Sequence, residues 1–246
     1  MKSFLLFFSL SVFLSFGCSN NDEEIGVVAK EEKEEEKVDT LKSRTISILS
    51  LGDSYTIGES VCTSCKFPEQ LKERLLSNIE SDTSIDLKVI ARTGWITTNL
   101  ISAIGSENID NSYNLVTLLI GVNNQYQNKP FSLYELEFPT LVATAIKKAK
   151  SDSSKVIVVS IPDYAFTPFG GGDIKISNAI DKYNAFAENY CIKNNISFIN
   201  ITDITREGLK NKDLVASDGL HPSELAYSKF VERILPVATS KLKNEL

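Results

Sequence analysis

Two side chains of this sequence are of the types from which a nucleophile and its base are made. Ser54 stands in Gly52-Asp53-Ser54-Tyr55. His221, the single histidine among 246 residues, stands in Ser217-Asp218-Gly219-Leu220-His221-Pro222. A serine hydroxyl is a poor nucleophile until a base takes its proton, and imidazole suits that task near neutral pH. Asp218, three residues before the histidine, can turn back to hold the other ring nitrogen, as a Ser-His-Asp scheme requires. The chemistry of such a set is attack on an acyl carbon. Each piece also has a plainer explanation when taken singly. Asp-Ser is an ordinary turn or helix cap, and a histidine before proline is an ordinary turn residue. Asp53 reads as stabilising the turn beside the nucleophile.

These residues need a frame that brings positions 54 and 221 together. Apolar, β-branched runs at residues 45–51, 85–91, 115–120, 155–161 and 196–201 predict five strands. Between and after them, residues 67–80, 97–106, 132–150, 173–194 and 223–243 have helical spacing. Pro139 is expected to disturb the third helix, and Pro236 to kink or interrupt the last. Near-continuous apolar strands alternating with helices predict an α/β fold with a parallel sheet covered on both faces. In such sheets the chemistry gathers at the carboxyl ends of the strands. Ser54 follows the first strand and opens the segment leading to the next helix, where free backbone N–H groups favour an oxyanion.

The Gly-Asp-Ser motif after the first strand, with Asp-x-x-His before the last helix, resembles the GDSL/SGNH hydrolases. Two further positions match. Gly94, in Ala91-Arg92-Thr93-Gly94-Trp95, follows the second strand, where that family places an oxyanion-binding glycine N–H. Asn123, in Gly121-Val122-Asn123-Asn124, follows the third, where the family has an asparagine whose amide binds the same oxyanion. Asn124 stands in place of the family's aspartate, and the first motif reads GDSY. The resemblance spans roughly residues 46–235. It implies a flavodoxin-like three-layer α/β/α sandwich with a five-stranded parallel sheet, hydrolysing carboxylic esters without metal or cofactor. It implies Ser54, His221 and Asp218 as catalytic residues and Ser54, Gly94 and Asn123 as the oxyanion hole.

The ends and cysteines bear on compartment. Residues 1–17 join Lys2 to an apolar run too short for a stable membrane anchor, and the run ends in Leu14-Ser15-Phe16-Gly17-Cys18. This resembles a bacterial lipoprotein signal with lipid on Cys18; an ordinary secretory signal is the alternative. Residues 18–44 read as a disordered acidic tether, since residues 22–44 hold nine acidic against five basic side chains. The expectation is an exported enzyme, lipid-anchored at the cell envelope, with its hydrolase domain at 45–246. Cys62 and Cys65 predict a local disulfide in an oxidising compartment. A redox pair lacks the flanking pattern, and a zinc site would need two ligands beyond them when only Cys191 and His221 remain. The net charge of −6, with no Lys/Arg-rich run, argues against nucleic acid as a partner.

Substrate is less directly written. Residues 162–172 form a long, aromatic, glycine-bearing segment after the fourth strand, suited to a lid or a pocket wall. Tyr55, Trp95, Tyr126 and Phe169 are candidates to line an apolar or sugar-stacking site, against core packing for each taken singly. Four readings follow: an esterase for small acyl groups on glycans, a lipid or lysophospholipid esterase, an acyltransferase, or a non-catalytic surface protein that binds glycan or protein.

Overall fold

The computed structural model describes residues 44–79, 82–243 and 245. The signal sequence expected at 1–17, Cys18 and the tether up to residue 43 lie outside the described residues. Arg44, expected as the last residue of the tether, already belongs to the first strand.

Five parallel strands, β1 (Arg44–Gly52), β2 (Thr83–Ala91), β3 (Leu115–Leu119), β4 (Val156–Val159) and β5 (Ser197–Ile199), lie in the order β2-β1-β3-β4-β5. Among the described residues eight α-helices accompany them: α1 (Ser54–Ile57), α2 (Phe67–Leu76), α3 (Thr97–Ser106), α4 (Val122–Tyr126), α5 (Phe131–Lys148), α6 (Ile174–Lys193), α7 (Thr202–Thr205) and α8 (Glu224–Leu242). The order has the flavodoxin-like pattern, with its reversal between β1 and β3. Right-handed crossovers explain the layers. The chain steps from β1 to β2 in one direction and then from β2 back past β1 to β3, so α2 falls on one face and α3 on the other. Helices α5 and α6 continue on the side of α3, and α8 returns to pack on α2.

Every residue of β3 and β4 is buried, as strands sandwiched between helices must be. The continuous apolar runs made these strands legible. The core under α5 and α6 is aromatic, with the Tyr134 ring in contact with Phe138, Tyr183 and Phe186. Cys191 is fully buried beside it, and burial pushes its thiol up to about 12, so it packs as a small apolar residue.

Three expectations need correction. Helix α2 ends at Leu76, not Glu80, because Ser77 Oγ and Asn78 Nδ2 both donate to the Arg74 carbonyl and draw the backbone out of the helix. Neither Pro139 nor Pro236 interrupts its helix. An interior proline costs about 3 kcal/mol. The side chains around each one bury more than enough to offset that: Phe138, Leu141 and Val142 in α5, and Ile234, Ala238 and Leu242 in α8. The sequence reading also omitted α1, α4 and α7, whose four or five residues are too few to show helical periodicity.

Candidate active site

The site lies at the carboxyl ends of β1, β2 and β3, around the point where strand order reverses. At the end of β1 the chain turns sharply at Gly52. A Cβ there would lie 2.1 Å from Thr56 Oγ1 and 2.4 Å from the Leu119 carbonyl oxygen, so no other residue fits without moving backbone. Asp53 then caps α1, its Oδ1 accepting from the Tyr55 N–H at 3.0 Å. Ser54 is therefore the first residue of a helix, held beside the sheet edge and almost fully buried.

Asp53 is wholly buried, and burial pushes its carboxyl from 3.8 up to about 7. The Tyr55 N–H and the nearby Asn123 carboxamide act in the opposite direction and do not outweigh burial. Neither Asp53 Oδ2 nor Asn123 Nδ2 completes a hydrogen bond.

Asp218 and His221 come from the turn before α8. The His221 Nδ1 lies 2.6 Å from Asp218 Oδ2, and the backbone N–H groups of Leu220 and His221 donate to Asp218 Oδ1 at 2.9 and 3.0 Å. Burial alone would raise the Asp218 carboxyl. Hydrogen bonds from Ser60, His221 and the two backbone N–H groups outweigh it and hold the group well below the usual carboxylate range. With Nδ1 engaged by a carboxylate, Nε2 is the ring nitrogen left without a partner among the described residues. The Tyr55 ring packs 5.4 Å from the imidazole, centroid to centroid, and limits its rotation.

Ser54, Gly94, Asn123 and His221 line one cavity of about 160 Å³, with Tyr55, Thr93, Val122, Tyr126, Tyr164 and Leu220. Ser54 Oγ makes no hydrogen bond to the imidazole here; contacts of this kind commonly close in the substrate complex. Two backbone donors in this lining, the Ser54 N–H and the Gly94 N–H, make no hydrogen bond among the described residues, and the buried Asn123 Nδ2 completes none although the Asp53 carboxyl lies nearby. An unpaired buried donor is costly unless something arrives to accept from it. Gly94 has φ +80°, a left-handed conformation in which a side chain would be strained, and a Cβ there would meet open space. Conformation, not crowding, is what requires glycine at that position.

Two neighbouring side chains steady these donors. Gln127 Nε2 donates to the Gly94 carbonyl at 2.8 Å. Asn124 is buried and pairs with Thr97 at the start of α3, tying the loop of Gly94 to the helix of Asn123.

The candidate pocket residues separate into three groups. Tyr55 and Tyr126 line the cavity. Trp95 instead packs, partly buried, against the hydrophobic core. Phe169 stands at the edge, about half exposed, against Tyr126 (6.1 Å) and Tyr164 (6.4 Å). The segment carrying Phe169 is a tied wall. The Phe169 N–H donates to the Gly219 carbonyl, Gly171 and Gly172 donate back to Thr167 and Ala165, and buried Asp163 pairs with Arg206 at 2.9 Å. Tyr164, Thr93 and Leu220 were not singled out from sequence, although each lies in or beside a segment that was. Cys62 and Cys65 are bonded to each other within one turn after α1. Among the described residues no cluster of His, Cys, Asp and Glu could hold a metal ion.

A doubly wound sheet with a serine at its switch point and an imidazole–carboxylate pair opposite is the frame of a hydrolytic enzyme. Residues 50–229 match the model of the GDSL-like lipase/acylhydrolase family, and the chain belongs to that family, whose members are ester-bond hydrolases. Solved structures agree on the fold. A lipolytic protein of the G-D-S-L family from Veillonella parvula is 20% identical, with 79% of this chain and 98% of that chain covered and a TM-score of 0.60. A lipase/acylhydrolase from Enterococcus faecalis is also 20% identical, covering 80% and 96% with a TM-score of 0.60. An acetylxylan esterase from Geobacillus stearothermophilus is 16% identical, covering 80% and 96% with a TM-score of 0.57. No curated protein matches the chain.

Proposed function

We propose that the chain is a serine esterase for short acyl groups carried on a carbohydrate alcohol, working through an acyl-enzyme. The observation that carries this reading is the meeting of Ser54, Gly94, Asn123 and His221 in the lining of one cavity, with no hydrogen bond yet made by the Ser54 and Gly94 N–H groups. Ser54 Oγ attacks the ester carbonyl carbon as its proton passes to His221 Nε2. The Ser54 N–H, Gly94 N–H and Asn123 amide take the oxygen on which charge develops. Collapse breaks the bond to the leaving oxygen, which receives the proton from Nε2. Water then gives a proton to Nε2 and attacks the acyl carbon, and a second collapse frees the acid and restores the serine. Asp218 stays ionised throughout and stabilises the imidazolium.

The acyl preference rests on size. About 160 Å³ is well below the roughly 300 Å³ at which pockets enclose a drug-sized ligand. A long acyl chain, as on a lysophospholipid, would need a deeper apolar channel. The carbohydrate preference rests on the half-exposed rings of Tyr126 and Phe169 at the cavity edge, where a sugar face can stack.

We propose further that the enzyme is exported and lipid-anchored through Cys18. The signal-like residues 1–17 support this, and so does the bonded pair Cys62–Cys65, which suits an oxidising compartment. Incorporation of a labelled fatty acid that is lost on Cys18→Ala tests the anchor; equal labelling of both chains would rule it out.

Hydrolysis of aryl esters from acetate to dodecanoate, beside Ser54→Ala, tests the activity. Acetate should be fastest and Ser54→Ala inert. No turnover of any ester by the folded protein would overturn the reading, and fastest turnover of dodecanoate would overturn the short-acyl part alone.

A further inference from the structure

Ser60 lies outside the cavity and in none of the motifs above, yet it touches the catalytic carboxylate. Its Oγ donates to Asp218 Oδ2 at 2.6 Å, the same oxygen that faces His221 Nδ1 at 2.6 Å. The two residues are 158 positions apart. Ser60 holds φ +65°, unusual for a residue with a side chain. A sparsely populated conformation persists only where its surroundings enforce it, and such residues cluster at functional sites. The surroundings are visible on both sides. The preceding Glu59 carboxylate accepts a hydrogen bond from Thr93 Oγ1, beside Gly94. The following turn is closed by Cys62–Cys65. The segment is thereby held between the oxyanion loop and the acid–base loop.

We propose that Ser60 is a positioning residue for Asp218. The two Oδ1 bonds from Leu220 and His221 fix one end of the carboxylate. Ser60 takes one of the two lone pairs on Oδ2 and leaves the other directed at the imidazole. Without it, Oδ2 is free to accept from solvent, and the imidazole loses part of its orientation. This role rests on the serine-esterase reading for its effect on rate, but not for its effect on the ring.

The test uses two readouts. His221 is the only histidine, so its Nδ1–H resonance is unambiguous in the full chain and needs no substrate. Ser60→Gly removes the hydroxyl while suiting the left-handed backbone, so any effect cannot be ascribed to strain. The expected result is a shifted or exchange-broadened Nδ1–H signal, with kcat on aryl acetate lowered about tenfold and KM unchanged. In an Asp218→Asn background Ser60→Gly should cause no further loss, because a residue acting through Asp218 has nothing left to act on. An unchanged resonance, or a loss that multiplies in the double variant, would overturn the proposal. If the wild-type chain turns over no ester, the serine-esterase reading fails, and the resonance alone still decides the role of Ser60.

Discussion

Asn124 and Thr97 exchange two buried hydrogen bonds: the Thr97 N–H donates to Asn124 Oδ1 at 3.0 Å, and Asn124 Nδ2 donates to Thr97 Oγ1 at 2.7 Å. The Thr97 hydroxyl in turn donates its own hydrogen bond to the Glu137 carboxylate. The asparagine is thus matched to a threonine whose single proton is already committed. Asn124→Asp, which installs the residue usual in the family, should therefore destabilise this chain by about 1–3 kcal/mol, since two acceptors would face one proton. Urea unfolding of the variant checks this, and a midpoint equal to wild type would refute the matching.

Ser54→Ala should reduce turnover of aryl acetate by at least about 10⁴-fold. Its unfolding midpoint should stay near wild type, because Ser54 Oγ makes no hydrogen bond that the fold depends on. A variant that retains a substantial fraction of the rate would displace Ser54 as nucleophile.

Asn123→Ala removes one of the three proposed oxyanion donors. The expected loss is about 10²–10³-fold in kcat with KM little changed, as befits an interaction made in the transition state. A rise in KM at constant kcat would instead make Asn123 a substrate-binding group.

Phe169→Ala should leave the fold and the rate on aryl acetate intact, since the ring is about half exposed. KM for an acetylated sugar should rise several-fold through lost stacking, a contact worth about 0.5–1.5 kcal/mol. Equal KM values for the two enzymes would remove Phe169 from the alcohol site.

Asp53 makes stability depend on pH. The folded chain keeps its carboxyl proton up to about pH 7, whereas the unfolded chain loses it near 3.8. The contribution is fully present below about pH 4 and is lost as pH rises through 7, by up to about 4 kcal/mol. Asp53→Asn has no such proton to lose. Measured by urea unfolding, the difference between variant and wild type should move in the variant's favour from pH 4 to 7; parallel pH curves would show that Asp53 does not titrate in this window.

Much of this architecture was readable because it repeats locally. Five apolar runs announced five strands, and Ser54, Gly94 and Asn123 each fall directly after one of them. Asp218 and His221 are three residues apart, so their pairing needs only a turn. What could not be read are contacts that join distant segments through ordinary residue types. Ser60, Gln127 and Tyr164 carry no local pattern, and their partners are known only once the sheet is ordered. Trp95 shows the converse: its position beside Gly94 drew it toward the cavity, whereas an indole of that size finds more contact in the core. The continuity of the helices through Pro139 and Pro236 is unreadable for a related reason, since the cost of a proline is local and the burial that offsets it is tertiary.

The switch-point site draws Ser54, the proposed nucleophile, from the turn after the first strand and His221, the proposed base, from the turn before the last helix. Between them lies almost the whole domain, and α8 closes back on α2, where Arg74 donates to Ser228 at 2.6 Å. A chain emerging from its N-terminus therefore displays Ser54 early but brings His221 to it only when its final elements dock. On the proposed roles, esterase activity would then report the completion of folding, since the serine and the imidazole share a cavity only after the last elements have docked.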